Sequence, residues 1–216
     1  MESNIDAGLN ESDLGAVQRA QGWAQDFVAP RAESWETERR FAREAFDSAG
    51  QHRLTGLLVS SADGGEDISV LGLARVLEEI AAVDFAIAFS LVCHNNLAGA
   101  VGRGATGTLR ESVLPGLVEG SLVGAFLLTE PEVGSDAAAI AVTATIDGSE
   151  WVLNGEKAWV TNGTDADVLS VYAQTDSSLG HRGIATFLID ANTSGVIKTP
   201  GYELLGGHGL GANSIR

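Results

Sequence analysis

Two short segments carry the residue types able to do chemistry. Phe126-Leu127-Leu128-Thr129-Glu130-Pro131-Glu132-Val133-Gly134-Ser135-Asp136 leaves a strand-like run and enters a turn of hydroxyls, a glycine and carboxylates. Backbone amides around Gly134 and Ser135, with the hydroxyls of Thr129 and Ser135, suit a phosphate or the polar edge of a ring. The same composition also describes an ordinary polar loop capping a sheet. Further on, Trp159-Val160-Thr161-Asn162-Gly163 ends a second strand. Strand side chains alternate, so Trp159 and Thr161 are expected on one face, where an indole backs an aromatic cofactor and a hydroxyl bonds to it. The plain alternative is a core tryptophan beside a hairpin turn. Glu130 and Asp136 read as structural loop carboxylates. His94 follows Cys93, but neighbours on a helix diverge by about 100°, which favours a satisfied helix-end histidine over a thiol–imidazole pair. Glu33, Glu36 and Glu38 read as solvated surface.

The elements that must position these segments fall into two kinds. Through about Gly120 the spacing is helical. Leu14, Val17, Ala20, Ala24, Phe27 and Val28 follow a three-and-four pattern that should stop at Pro30. A short helix is expected over Phe41 to Ser48, ended by Gly50. The clearest has Val70, Leu73, Ala74, Leu77, Ile80 and Ala81 on one face, with Glu78 and Glu79 turned away. Phe85 to Val92 is apolar all round and reads as buried on every side, and Thr108 to Glu119 is a weaker helix interrupted by Pro115 and Gly116. Beyond Ser121 the period is that of strands: 121–128, 139–146, 150–153, 157–161, 168–174 and 184–190. Asp147-Gly148, Asn154-Gly155 and Asn162-Gly163 between them tolerate the positive φ of tight turns. The expected fold class is α+β, an all-α domain over 1–120 followed by an antiparallel β-barrel-like domain over 121–216, incomplete at its end.

Composition narrows the function. The 216 residues hold 29 Asp and Glu against 13 Lys and Arg, a formal net charge of -16. General nucleic-acid binding and docking on anionic lipid need basic surface, so both are disfavoured. The single cysteine excludes an internal disulfide and any multi-cysteine metal site. The opening MESNIDAGLN lacks the pattern of a signal or transit peptide, and the nearly apolar run Phe85–Cys93 falls short of the about 18 residues a membrane span needs. The expectation is a cytoplasmic protein without a membrane span.

Taken together, Thr-Glu-Pro-x-x-Gly-Ser-Asp and Leu153-Asn154-Gly155-Glu156-Lys157-Ala158-Trp159-Val160-Thr161-Asn162-Gly163 resemble the acyl-CoA dehydrogenase family of flavoproteins. The likeness extends to Glu78 through Asp84, to His94-Asn95-Asn96 and to Gly183 through Asp190. It implies FAD as cofactor. Phe126, Leu127, Leu128, Thr129, Gly134 and Ser135 would line it, with Thr129 on the pyrimidine side and Ser135 where pyrophosphate and the substrate's pantetheine arm meet. Trp159 and Val160 would lie along the ring system and Thr161 near N5, the hydride acceptor. Glu132 and Val133 stand where the family has small residues, which puts the local loop backbone in question.

The resemblance also implies α,β-dehydrogenation of an acyl thioester, carried by coenzyme A or an acyl carrier protein, with an electron-transfer flavoprotein or similar acceptor. Arg182 and Lys198, and less so Lys157, would meet coenzyme A phosphates. The family's catalytic glutamate and its homo-oligomer contacts come from a second helical domain after the β domain. No residue here is assignable as that base, so the chain reads as a fragment, inactive alone. A non-catalytic flavin- or thioester-binding subunit, an acyl-CoA oxidase and a flavin monooxygenase remain as alternatives.

Overall fold

Asn10 starts the first helix, α1 (Glu11–Trp23), because its side chain accepts from Asp13 N while the Asp13 carboxylate accepts from Asn10 N, a reciprocal cap. The computed structural model describes residues 6–105 and 107–216; residues 1–5, part of the opening read for targeting signals, lie outside the described residues. The chain divides into two units, one running to Val123 and including Leu204–Leu210, the other comprising Gly124–Glu203 and Gly211–Arg216.

In the first unit α1 does not stop before Pro30. It passes through a π turn, Ala24–Val28, into α2 (Ala29–Glu38), where Pro30 occupies the first turn. A proline lacks the N–H that would bond back to the preceding turn, and the wider π turn just before it lets the helical path continue past that gap, so the break expected at Pro30 is only a change of winding. Next, α3 spans Arg43–Gln51 and runs through Gly50, which serves close approach rather than termination: a Cβ there would collide with the Glu119 carbonyl. α4 spans Val70–Ala81 as the spacing predicts. Its buried face is rotated from that expectation, with Leu73, Val76 and Ile80 inside and Val70 79 % exposed.

α5 (Phe85–Gly104) is capped by Asp84, whose carboxylate accepts from Ile87 N at 2.9 Å. It is not buried all round: Phe85 and Phe89 stack on its exposed side, ring centroids 5.7 Å apart. By length and composition alone α5 could cross a membrane, which the apolar run ending at Cys93 did not reveal. Ser90, His94 and Asn95 are nonetheless fully buried along it, and Asn95 bonds Leu57 N and the carbonyls of Leu54 and Leu91. It is the core helix of this unit. α6 spans Gly107–Glu119 with Pro115 inside it. His94 lies within α5 rather than at its end, with Nε2 2.9 Å from the Leu117 carbonyl.

The second unit holds β1 (Gly124–Leu127), β2 (Thr143–Asp147), β3 (Glu150–Asn154), β4 (Lys157–Val160), β5 (Val168–Gln174), β6 (Ile184–Asp190) and β7 (Asn213–Ile215). One sheet runs β1-β5-β2-β3, with β6 also on β5; β4 and β7 form a second. The sheet is mixed, which corrects the antiparallel expectation. β1 pairs parallel to β5 from Gly124↔Val168 to Leu127↔Val171, and β2 meets β5 in a parallel bridge at Thr143↔Gln174. The pairs β2–β3, β5–β6 and β4–β7 are antiparallel. Glycine-bearing dipeptides specify local reversals, and Gly148 at φ 62° does close β2 to β3. The β1–β5 pairing joins segments separated by that hairpin and by β4, so no turn signal encodes it.

Candidate cofactor site

The first motif leaves β1 and is locked at once by a buried charge pair. Glu130 accepts from Ala141 N at 2.7 Å, from Val142 N at 2.9 Å and from Lys157 Nζ at 2.8 Å. Lys157 Nζ also donates to the Leu128 carbonyl at 2.9 Å. Between these contacts Ala158 N donates to the Thr129 carbonyl at 2.9 Å. The two motifs are therefore bound to each other by main chain and by a salt bridge whose members are 6 % and 2 % exposed. Burial pushes the Glu130 carboxyl up, but the Lys157 ammonium and the two amides outweigh it and hold it below the ordinary range. Burial likewise pushes the Lys157 ammonium down, more than Glu130 restores. Glu130 is thus a structural carboxylate, as its place in the motif predicts, with its lone pairs engaged by fixed donors.

Past Glu130, mutual main-chain bonds between Glu130 and Val133 close a turn over Pro131 and Glu132. Val133 is not among the non-glycine residues with positive φ, so its β-branch fits the loop without strain. Gly134 and Ser135 are exposed, and a Cβ at Gly134 would meet nothing within 4 Å. Phe126 is partly exposed and packs edge-on against Tyr172 at 5.1 Å. Leu127 and Val160 point into the core of this unit with Ala125, Leu169 and Ile215, leaving only their backbone to meet a ligand. Leu128, Thr129 and Thr161 are half-buried.

Trp159 is 62 % exposed and has φ 56°, an unusual conformation for a bulky residue. Opposite it, β7 matches Lys157 to Ile215 and Val160 to Asn213, so Ala158 and Trp159 together face Ser214 alone. That bulge interrupts strand alternation, and Thr161 falls in the turn after β4 rather than on the strand. The shared face inferred from alternation is therefore not what relates Trp159 to Thr161. Arg182 lies exposed on the 3₁₀ segment Ser177–Gly183, an element separate from both motifs.

Other expectations are corrected by contacts. Lys157 is buried and committed to Glu130, so it is not presented to a phosphate, and the half-buried Lys198 donates from Nζ to the Ala166 carbonyl at 2.7 Å. Glu36 is no idle surface charge: it accepts from His208 N at 2.9 Å and contacts His208 Nδ1 at 2.8 Å, tying 204–210 to α2. No group of three or more potential metal-binding side chains occurs among the described residues. Sequence reasoning missed Tyr202, whose ring lies 4.5 Å from that of Trp159. Nothing local marks it, because the contact spans 43 positions.

A helical unit followed by a mixed-sheet unit, with two motif segments cross-braced by a buried ion pair, defines a class of two-part α+β chains. Residues 11–121 match the acyl-CoA dehydrogenase N-terminal domain and residues 125–216 the acyl-CoA dehydrogenase middle domain. The chain belongs to the acyl-CoA dehydrogenase family. It is 32 % identical to the mitochondrial isobutyryl-CoA dehydrogenase of Dictyostelium discoideum, over 94 % of this chain and 49 % of that protein. Butyryl-CoA dehydrogenase from Megasphaera elsdenii superposes with a TM-score of 0.89 at 29 % identity, covering 97 % of this chain and 56 % of that one. Glutaryl-CoA dehydrogenase from Mycobacterium smegmatis, solved in complex with FADH2, gives 0.87 at 25 % identity, covering 96 % and 52 %. The chain spans about half the length of the curated relatives it matches.

Proposed function

We propose that these residues form the amino-terminal helical and middle β domains, divided near Gly120, of a flavin-dependent acyl-CoA dehydrogenase that binds FAD. The observation that carries this reading is Trp159: a large indole, 62 % exposed, held out by a bulge on a strand braced to the Thr129 loop. Water is a poor neighbour for so much apolar surface, whereas a planar aromatic cofactor is a good one. The donor set fits FAD as well. Thr129 and Thr161 supply hydroxyls for the polar edges of the ring, and the open Gly134–Ser135 turn leaves room for a pyrophosphate and a hydroxyl to meet it. FAD, when bound, supplies the hydride acceptor for α,β-dehydrogenation of an acyl thioester.

The residues present bind and orient. Ser135 and the exposed Arg182 are the candidates for the thioester's carrier, whether coenzyme A or an acyl carrier protein. None of the described carboxylates is assigned as the proton-abstracting base; Glu130, which follows Thr129 in the first motif, is occupied by Ala141, Val142 and Lys157. The wider setting belongs to the same proposal: fatty acid metabolism in the cytoplasm, a homo-oligomer, and an electron-transfer flavoprotein as acceptor. FAD titration of the purified chain tests it. Visible flavin bands that co-elute with the protein, with quenched flavin fluorescence, are expected. Flavin that stays free at every concentration removes the reading.

A further inference from the structure

A bulge creates a backbone problem that this chain solves with a side chain. Ala158 and Trp159 together face the single residue Ser214 of β7, so the ladder supplies one partner position for two residues. The amide of Trp159 instead donates to the phenolic oxygen of Tyr202 at 3.3 Å. That oxygen, having accepted, is free to donate its own proton, and Ser214 Oγ lies 2.6 Å from it. Tyr202 thus stands where a strand carbonyl would otherwise be, and its hydroxyl links the bulged residue to the β7 residue the bulge displaces.

The same side chain also holds the indole. The Tyr202 and Trp159 rings are 4.5 Å apart and inclined at 50°, within the range where aromatic pairs attract. Tyr202 is itself fixed. Its N–H donates to the Ala212 carbonyl at 2.8 Å. Thr199 secures Ser214 from behind, with Thr199 N on the Ser214 carbonyl at 3.0 Å and Ser214 N on Thr199 Oγ1 at 3.0 Å. A left-handed backbone at a tryptophan persists only where its surroundings over-determine it, and such conformations concentrate at ligand clamps.

The geometry points to Tyr202 as a positioning residue that sets the bulge and the ring orientation of Trp159 toward the cofactor. This rests on the flavin reading above and deepens it. Neither residue type nor spacing announces the role, since Tyr202 sits in the irregular stretch before β7.

The test compares wild type, Tyr202→Phe, Tyr202→Leu and Trp159→Phe as the full 216-residue chain, by near-UV circular dichroism and by FAD titration. Tyr202→Phe keeps the ring but removes the acceptor, and should weaken FAD binding by about threefold to tenfold, the scale of one hydrogen bond. It should retain most of the aromatic dichroism. Tyr202→Leu also loses the ring pair, should weaken FAD by about tenfold or more, and should lose the same dichroic signal that Trp159→Phe loses. Unchanged FAD affinity and dichroism in both Tyr202 variants overturns the assignment. If Tyr202→Leu fails to fold, Tyr202→Phe decides alone on affinity. If wild type takes up no FAD, the flavin reading has failed and with it the purpose of the clamp; the dichroism of Tyr202→Leu then reports separately whether Tyr202 holds Trp159.

Discussion

At the scale of single residues, the charge pair Glu130–Lys157 decides how the two motifs meet. Removing one member strands the other in a dry environment, which typically costs about 3–5 kcal/mol, whereas removing both costs much less. Lys157→Met should therefore destabilise the chain by about 3–5 kcal/mol in urea denaturation, and Glu130→Gln/Lys157→Met by clearly less than the two single changes added. Additive losses would show that the residues do not act as a pair. The motif spelled out both residue types, but not that they touch, because 27 positions separate them. Glu36 shows the same limit from the opposite side. A glutamate on a polar helix face reads as solvated until the backbone returns His208 to it across 172 positions.

At the scale of elements, periodicity located most helices and strands and misjudged what ends or buries them. α4, β5 and β6 have the bounds the spacing predicts, because each is a regular run whose own backbone bonds define it. The face of α4 was less legible. Arg75 lies on its buried side, its charge met by Asp6, Glu78 and Glu79, and an apolar count cannot anticipate a neutralised cation inside. Glycines separate the local from the non-local in the same way. Gly22 lies exposed in α1, where a Cβ would meet nothing within 4 Å, so Gly22→Ala should stabilise by about 0.5–1 kcal/mol through helix propensity alone. Gly50 is also helical, yet its Cβ would strike the backbone of Glu119, so Gly50→Ala should destabilise, by about 1–3 kcal/mol as overpacking does. Thermal unfolding of the two variants checks this; shifts of the same sign would mean that propensity, not approach, governs Gly50.

At the scale of the whole molecule, acid sensitivity follows from a histidine rather than from the many carboxylates. His94 is fully buried, and burial pushes its imidazole down to about 4, outweighing the carbonyls that favour its charged form. The unfolded chain therefore takes up a proton near the ordinary value of 6.5 that the folded chain refuses until about 4. The sign is that of a depressed histidine: stability falls as pH drops through this window, by about 3 kcal/mol over its full width. Asp13 and Glu130, both held below their ordinary values of 3.8 and 4.5, contribute stability that is lost as pH falls below those values, so Glu130 adds to the decline at the acid end of the same range. Urea midpoints measured from pH 7 to pH 4 should decline for wild type and flatten for His94→Gln relative to its own neutral value; parallel declines would place the acid-sensitive group elsewhere. By itself the sequence determined the order of a helical part before a strand part, the approximate place of most elements, the turn between β2 and β3 and, through two motifs, the family. Those properties are carried by residues close in the chain, where steric preference and periodic burial act directly. Only the tertiary structure decided the parallel β1–β5 pairing, the buried Glu130–Lys157 brace and the bulge at which Tyr202 meets Trp159. Each joins distant segments whose approach is set by the packing of the whole unit, and local preference holds no record of it.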